Sequence, residues 1–467
     1  MDRSPNYFGE EDAAYTSDAE LTAQHVFRDI ERSLKWDRST KGIQVVVGVK
    51  GSGKTELRRH LESSKGYYIF NLDANNAYFS QDISTIDQES GRTKNAIAAI
   101  LLREFARRIG ESHRSNAANL LKTALDASTN ALKKVPNAVD LTVPGATLRL
   151  GELLKQEASS VLQSSLDKLV ADVAAALRSA HKRGAILIDD VESVFDGIWK
   201  NPLLLEGLAR AVRDINERGS DRIHAVLFVK HGLWRSWYEK QEEYDKVRGV
   251  IEFLTWDHDA LVKLIAKRIA HRHGIHLGDN ESIDVEGLWA KEFSWSGSFD
   301  DLTRYCTRYC VSGPRDMVAL CNLAAKSAYN ELITVRHVEA SLGAYSQDKI
   351  HNLNADFGKT YPDIRKFVEQ VFQSAPKKMT GRELAQLVQS RTLTVPRVHN
   401  DLKKWPWYAN ATKERLATIT YQIGVVGYES SHGMTYAIEQ PDLSPSDLLA
   451  QQVVCVHPAF RPHLAIV

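Results

Sequence analysis

An apolar run, IQVVV at 43–47, passes directly into the glycine-rich stretch GVKGSGKTEL at 48–57. Glycine permits backbone conformations that other residues avoid, and it lets amide N–H groups approach a bound group closely. The lysine at position 54 indicates that the bound group is an anion. A strand, a glycine turn and a helix in this order therefore predict a phosphate-binding site at the start of the helix.

The spacing of Gly48, Gly53, Lys54 and Thr55 fits GxxxxGK[ST], the P-loop of nucleoside triphosphate-binding proteins. We expect Lys54 to neutralise the β- and γ-phosphates and the Thr55 hydroxyl to ligate Mg²⁺. ATP is favoured over GTP because no NKxD-type guanine-reading segment follows a suitable strand. The residues predicted to contact the nucleotide are Gly48, Lys50, Gly51, Ser52, Gly53, Lys54, Thr55 and Glu56.

A second apolar run ends in acids, in GAILIDDVESVFD at 184–196. Asp189 is the expected Mg²⁺ partner, directly or through water. Asp190 is then placed to polarise the attacking water, and Glu192 is the alternative for that role. A strand ending in a solvated acidic turn is the competing interpretation, which the P-loop upstream disfavours.

Three further apolar runs complete a predicted sheet, at 66–73, 223–231 and 247–256. Helical patterns with apolar positions three to four apart separate the runs. This alternation predicts an α/β fold, a doubly wound parallel sheet whose ligands bind at the carboxyl ends of the strands. Lys230 ends one run, so it either senses the γ-phosphate or lies in a solvated loop.

The segment SGPRDMVALCNLAAKSA at 312–328 starts a helix abruptly, because proline suits the first helical turn. Arg315 is expected to project from that turn. Taken with VGVKGSGKTEL, ILIDDVE, VLFVKHGLW and FLTWDHDALVKLIAKRI, the segment resembles AAA+ and STAND ATPases, and in particular the bacterial Sll1717-like group. The resemblance spans residues 17–345, and many members of that group lie in antiphage-defence or mobile-element neighbourhoods.

The resemblance implies catalytic roles for several residues. Arg315 would reach the nucleotide's phosphates from a helical lid, as a sensor 2 arginine, and Lys230 would be sensor 1. Aspartate at position 190, where AAA+ motors usually have glutamate, favours a slower, switch-like ATPase. A neighbouring subunit would complete the site with an arginine, and the candidates are Arg213, Arg218, Arg235 and Arg248.

Residues 110–160 form a predicted insertion that contains a short hairpin, AVDLTV and ATLRL, broken by Pro-Gly. It either grips a partner or is a plain decoration. Farther along, residues 376–440 fit a winged helix, three helices followed by a hairpin wing. Its basic and aromatic residues are Arg397, Lys403, Lys404, Trp405, Trp407, Tyr408, Lys413 and Arg415.

This cluster admits two interpretations. Winged helices bind DNA through such patches, whereas in STAND ATPases the same fold packs on the nucleotide domain and holds the off state. The aromatics of WPWY at 405–408 are favoured as core residues. A net charge of +1 with 25% charged residues indicates neither nucleic-acid binding nor membrane binding.

Other sequence features exclude some classes of protein. There is neither a signal-like start nor an apolar stretch of about 18 residues, so we expect a cytoplasmic protein without membrane contact. Four cysteines, including Cys306 and Cys310, lack zinc-site spacing and are predicted to be buried thiols. His457 and Arg461 are predicted to have a packing role.

The predicted domains are a polar segment with a helix (1–40), the ATPase core (41–260), a helical lid (261–350) and the winged-helix-like domain (351–467). The favoured function is an ATP-driven regulatory switch that acts on a homo-oligomer or a separate effector, because the chain has no nuclease, protease or TIR-type constellation. The alternative is a DNA-dependent ATPase like initiators or transposition helpers. An inactive nucleotide-binding scaffold is disfavoured, since the lysine and acids are all present.

Overall fold

The computed structural model describes residues 6–10, 44–62, 67–72, 78–79, 98, 101–102, 105, 140–143, 146–149, 158–191, 202–219, 222–238, 249–277, 283–394, 396–431, 433–437, 439–440 and 443–467. The chain divides into two compact units. The sheet unit comprises Phe27–Gly48 and Lys54–Leu254, and the helical unit comprises Met1–Val26, Val49–Gly53 and Thr255–Val467. None of the helices in the described ranges has the length and apolar character that crossing a membrane requires.

The sheet unit alternates strands and helices. Its strands are β1 (Val45–Gly48), β2 (Tyr67–Leu72), β3 (Tyr78–Phe79), β4 (Asp140–Val143), β5 (Ala146–Arg149), β6 (Arg183–Ile188), β7 (Ile223–Lys230) and β8 (Ile251–Phe253). Its helices are α1 (Lys54–Glu62), α2 (Ala158–Ser179), α3 (Pro202–Gly219) and α4 (His231–Tyr238).

Five of these strands form a parallel sheet in the order β2-β6-β7-β1-β8. Val45–Val47 and Ala185–Ile188 are fully buried, which explains why both strands are uninterrupted apolar runs. The predicted α/β parallel sheet is therefore confirmed. Strand β8 covers three residues of the apolar run predicted as a strand at 247–256. Residues 247–248 of that run lie outside the described part of the chain.

Within the predicted insertion, β4 and β5 pair antiparallel, with Val143 opposite Ala146. The hairpin predicted around Pro-Gly is thus present, and β3 pairs with β4 to make a three-stranded sheet. The other residues of 110–160, apart from the start of α2 at Ala158, lie outside the described part of the chain.

The helical unit is built mainly of helices with one small sheet. Its helices are α5 (His258–Arg272), α6 (Val285–Trp289), α7 (Phe299–Thr307), α8 (Pro314–Ala328), α9 (Val335–Phe357), α10 (Ile364–Phe372), α11 (Gly381–Thr394), α12 (Pro396–Leu402), α13 (Pro406–Ala409), α14 (Lys413–Gln422) and α15 (Pro445–Ala450). Its strands are β9 (Lys378–Met379), β10 (Val426–Ser430), β11 (Gly433–Thr435) and β12 (Val454–Val456).

One continuous apolar core runs through the helical unit, with Trp289, Tyr345, Phe367 and Tyr421 among its fully buried side chains. Helix α9 extends to Phe357, so the domain boundary predicted at 350 lies inside it. The two parts of the helical unit on either side of that boundary therefore share a rigid element as well as a core.

Residues 6–10 pack on this core. The Tyr7 hydroxyl donates to Glu292 Oε2 at 2.8 Å, and the Phe8 ring stacks on Phe293 with centroids 5.7 Å apart. Asn322 accepts from the Phe8 N–H at 2.8 Å, and Arg268 donates to the Phe8 carbonyl at 2.8 Å. The segment predicted only to be polar thus supplies buried aromatic side chains.

The C-terminal elements include the three helices and the hairpin predicted at 376–440, namely α11, α12, α14 and β10–β11. The antiparallel sheet has the order β11-β10-β12-β9. Trp405 Nε1 donates to Asp363 Oδ2 at 2.9 Å, Trp407 Nε1 donates to the Pro362 carbonyl at 3.1 Å, and Tyr408 is buried. These contacts support the core interpretation of WPWY.

The cysteines and His457 also lie where a packing role requires. Burial raises the pKa values of the Cys306, Cys310, Cys321 and Cys455 thiols, and the described residues contain no metal-binding cluster of His, Cys, Asp or Glu. His457 is buried, its Nδ1 accepts from the Ala459 N–H at 3.1 Å, and burial lowers its pKa to about 3. It caps the short 3₁₀ helix Pro458–Phe460.

Asp316 at the start of α8 organises the turn before that helix. Its buried carboxylate accepts from the Val311 N–H at 2.7 Å and the Ser312 N–H at 2.6 Å, and it pairs with Lys349 of α9. We expect Asp316→Ala to lower the free energy of unfolding by about 3–5 kcal/mol, because it strands a cation and two N–H donors. Chemical denaturation would measure this loss.

Asp348→Ala is the matched control, since Asp348 is exposed on α9. Its expected effect is within about 0.5 kcal/mol. Equal losses for the two variants would contradict the role assigned to Asp316.

Candidate nucleotide-binding site

The glycine turn between β1 and α1 has a backbone that requires glycine. Gly51 and Gly53 have φ angles of +85° and +93°, in the left-handed region. Strand β1 ends at Gly48 and α1 begins at Lys54, so the turn opens onto the first turn of a helix. An anion placed here meets backbone N–H groups and the positive end of the helix dipole.

Two buried polar side chains of this turn fit a phosphate group. Lys54 is 8% exposed, and its Nζ donates to the Gly48 carbonyl at 2.8 Å. The Ser52 hydroxyl is completely buried and has no hydrogen-bond partner among the described residues. Because buried polar atoms normally have partners, this hydroxyl fits a bound oxyanion that would accept a hydrogen bond from it.

Thr55 and Asp189 meet at the carboxyl edge of the sheet. Thr55 Oγ1 donates to Asp189 Oδ2 at 3.1 Å, and Asp189 Oδ1 accepts from the Asp190 N–H at 2.9 Å. Hydroxyl and carboxylate oxygens are ligands that Mg²⁺ prefers, with phosphates supplying the others. The pair that the sequence predicted to share a metal is therefore brought together.

Arg58 is a site residue that the sequence interpretation missed. Its Nε lies 3.3 Å from Asp189 Oδ2, and its NH1 contacts Glu62. Helical spacing gave a usable signal, because positions 55 and 58 are one turn apart and share a face of α1. Arg58 thus holds the carboxylate of Asp189 beside Thr55.

Asp190 and Lys230 face each other from neighbouring strands. Lys230 Nζ lies 3.8 Å from Asp190 Oδ1, with about a third of each side chain exposed. Asp190 has a φ angle of +52°, a left-handed conformation that costs roughly 1 kcal/mol for a non-glycine residue. Glu192, the alternative to Asp190, lies outside the described residues.

The next residue, His231, is buried, and its pKa falls to about 3 through burial and the nearby cations Arg235 and Lys54. It is therefore neutral at physiological pH. The sequence gave no role to His231, whose burial at a strand end is visible only in three dimensions.

Residues Val49–Gly53 of the turn belong to the helical unit. They contact α8, α9 and the segment before α5. The backbone N–H of Arg315 donates to the Gly51 carbonyl at 3.4 Å, so Arg315 lies beside the turn, and its contact with the phosphates stays a prediction. Trp256 Nε1 donates to the Ser52 carbonyl at 2.8 Å. Lys50 Nζ pairs with Asp356 Oδ1 of α9 at 2.9 Å.

Trp256 and Asp356 were both missed from the sequence, since neither lies in a pattern that points to the P-loop. Glu56 lies in the first turn of α1, and its predicted contact with the nucleotide stays a prediction. Of the arginines considered for a neighbouring site, Arg213 pairs with Glu217 and Arg218 with Asp214, Arg235 lies in α4, and Arg248 is outside the described residues.

A glycine-rich turn, a buried lysine and paired acids at the edge of a parallel sheet define a P-loop ATPase. The chain belongs to a family described as an ATPase domain predominantly from Archaea, whose profile matches residues 27–291. A second profile, the FunZ-associated C-terminal helical domain, matches residues 259–354. Comparison with curated proteins gives no match.

Two solved structures are similar at low identity. One is the Walker-type ATPase of Pyrococcus abyssi, at 10% identity over 96% of each chain with a TM-score of 0.36. The other is the ORC2 protein of Aeropyrum pernix in ADPNP–ADP complexes, at 13% identity over 92% of this chain and 91% of that chain, with a TM-score of 0.36. The resemblance to the Sll1717-like group and the link to defence stay predictions.

Gly51 offers a test of the turn geometry. A Cβ there would lie 3.0 Å from Arg315 Cβ, at a φ angle that disfavours any side chain. We expect Gly51→Ala to weaken ATP binding at least about tenfold, because roughly 1–2 kcal/mol of backbone strain distorts the turn. Isothermal titration calorimetry would measure the affinity.

Gly343→Ala is the control, because a Cβ at this exposed position of α9 meets nothing within 4 Å. It should leave ATP affinity unchanged and raise stability slightly. Wild-type affinity in the Gly51 variant would show that the turn does not need its left-handed glycine.

Proposed function

We propose that this ATPase is a regulatory switch, in which the nucleotide held by the P-loop sets the arrangement of the helical unit. The observation that carries the proposal is the set of contacts on three consecutive P-loop residues. Lys50, Gly51 and Ser52 each contact a different part of the helical unit, namely Asp356 of α9, Arg315 of α8 and Trp256 in the segment before α5. If the backbone of the turn moved on phosphate binding, the geometry of all three contacts would change together.

In this proposal, ATP binds with its phosphates in the glycine turn. Lys54 would leave the Gly48 carbonyl, 2.8 Å away, for the β- and γ-phosphates, and Ser52 would donate its buried hydroxyl. Mg²⁺, when bound, supplies charge neutralisation at the phosphates. Thr55 and Asp189 would hold it, and Arg58 would keep Asp189 in position.

Asp190 is the proposed group that orients and polarises the attacking water. Lys230, 3.8 Å from Asp190 Oδ1, is proposed to sense the γ-phosphate. A phosphate anion would attract Lys230 away from Asp190, so the carboxylate would become available when ATP is bound. Glu192 remains the alternative water-activating residue, and Arg315 is the proposed contact from the lid.

The proposed domain organisation follows the same division of labour. An ATPase core at 41–260 carries the site, a helical lid at 261–350 carries Arg315, and residues 351–467 form a winged-helix-like domain. The three helices, the hairpin and the antiparallel sheet of that region support the last assignment. The output would pass to a homo-oligomer or a separate effector, as in bacterial antiphage defence.

The second candidate function is a DNA-binding ATPase. The observation that favours it is the exposure of Arg397, Lys403 and Lys404 on and beside α12. The hydrogen-bonded Trp405 and Trp407 are committed to packing, so the binding would rest on phosphate contacts alone.

Lys54→Ala and Asp190→Asn separate binding from hydrolysis. We expect Lys54→Ala to weaken Mg·ATP binding at least about a hundredfold, since a buried cation facing the phosphates is lost. Asp190→Asn should keep ATP affinity within about threefold and lower turnover at least about a hundredfold. Calorimetry and a phosphate-release assay would measure the two quantities, and unchanged turnover in the Asp190 variant would refute its assigned role.

Filter binding with a labelled duplex tests the second function. A DNA-binding ATPase should bind at about 50 mM salt and lose affinity steeply as salt rises, because phosphate contacts release counterions. The Lys403→Glu/Lys404→Glu variant should then bind more weakly. Absence of binding by the wild-type protein at this salt concentration would exclude the hypothesis of a DNA-binding ATPase.

A further inference from the structure

A second cavity lies inside the helical unit, separate from the P-loop. Its volume is about 650 Å³, and it lies between the α7–α8 turn and the four-stranded sheet. Small-molecule sites in proteins have volumes of roughly 300–1,000 Å³. A single inorganic ion would leave most of this space unfilled.

Cationic side chains predominate around the cavity. Five of its lining residues are lysine or arginine, and three are acidic: Arg304, Arg308, Lys377, Lys378 and Arg461, against Asp257, Glu429 and Glu439. Two of the acids already accept backbone hydrogen bonds, Asp257 from the Ala260 N–H at 2.8 Å and Glu439 from the Tyr436 N–H at 2.8 Å. Burial also raises the pKa of Glu439 above its ordinary value.

Two of the guanidinium groups are held in place. The Arg308 guanidinium lies 3.9 Å from the ring centroid of Tyr305, and its NH2 donates to the Tyr309 hydroxyl at 2.8 Å. Arg461 Nε donates to the Val456 carbonyl at 2.8 Å. Fixed guanidinium groups with further N–H donors suit planar, bidentate recognition of phosphate or carboxylate.

Lys377 and Lys378 supply mobile positive charge at the opening. Both are exposed, and neither ammonium has an ion-pair or hydrogen-bond partner among the described residues. Strand β9, which includes Lys378, is the edge strand of the small sheet. Exposed lysines at a rim attract an anion from solution without a desolvation cost.

We infer that this cavity binds a phosphate-bearing ligand of nucleotide size, either a free nucleotide or one unit of a nucleic-acid strand. Arg308 and Arg461 contact its phosphate, and Lys377 and Lys378 attract it to the opening. The aromatic side chains of Trp256 and Tyr436 line the remaining space, where a base or sugar packs.

Trp256 connects this cavity to the P-loop. The same indole that lines the cavity donates to the Ser52 carbonyl at 2.8 Å, and Gly313 packs against the indole ring. A ligand that displaces the indole changes the backbone position of Ser52. Occupancy therefore alters the apparent KM for ATP, which gives the site a second readout besides binding.

Equilibrium binding by the full chain tests the inference. Lys54→Ala disables the P-loop of the full chain without adding a competing nucleotide, and the probes are a labelled nucleoside 5′-monophosphate and a labelled 20-nucleotide single strand. We expect at least one probe to bind, and Lys377→Glu/Lys378→Glu to weaken it at least about tenfold. Lys326→Glu/Lys359→Glu makes the same charge change at exposed positions outside the cavity and should alter affinity less than about twofold.

Each outcome decides the matter. Binding of the nucleoside monophosphate identifies a free nucleotide as the ligand, whereas binding of the strand alone identifies nucleic acid. Failure of both probes to bind overturns the inference, and so does binding that survives the Lys377/Lys378 change. ATP turnover of the Lys377→Glu/Lys378→Glu chain with Lys54 intact, measured in parallel, tells a lost cavity site from a failed P-loop, because Lys377 and Lys378 take no part in the P-loop.

Discussion

The structure depends on one constraint at the end of β1. There the backbone must turn so that several N–H groups and the buried ammonium of Lys54 can face the same anion. Left-handed glycines at 51 and 53 create the turn, and Lys54 together with the Ser52 hydroxyl completes the polar interior. A glycine-rich turn that leads into a helix is a ready anion-binding site, because the N–H groups of the first helical turn point at the ligand. The parallel order β2-β6-β7-β1-β8 provides the sheet edge beside this turn and places Asp189 and Lys230 along it.

Each acid at this edge is balanced by a cation. Asp189 lies beside Arg58, and Asp190 lies beside Lys230. His231, which follows Lys230, stays neutral, so it adds no further positive charge next to Lys54. These two cations reduce the electrostatic repulsion between the neighbouring carboxylates before Mg²⁺ and the phosphates bind. Bound Mg²⁺ and phosphates can replace the two ion pairs without a large change in the net charge of the site.

Local patterns were enough to predict much of the fold. The apolar runs gave the parallel strands, Pro-Gly gave the hairpin between β4 and β5, and Gly-Pro gave the start of α8. The glycine and lysine spacing gave the P-loop, because both the anion and the turn act on adjacent residues.

What the sequence did not reveal lies in contacts between distant residues. Trp256 and Ser52 are 204 positions apart, and nothing near either residue signals the other. The same applies to Lys50 with Asp356 and to Arg58 with Asp189, although helical spacing placed Arg58 beside Thr55. The tryptophans at 405 and 407 were favoured as core residues, and the structure shows Trp407 packed on the core and Trp405 half-buried. Their hydrogen-bond partners Asp363 and Pro362 were not predictable.

The docking of residues 6–10 has a consequence for biosynthesis. Tyr7 and Phe8 leave the ribosome long before their partners Glu292 and Asn322, which are 285 and 314 positions farther along. The parallel sheet can assemble during this interval, while the two aromatic side chains remain exposed to solvent and to chaperones. Closure of the helical core is therefore a late event, and a pause in translation before residue 322 would prolong the life of an aggregation-prone intermediate.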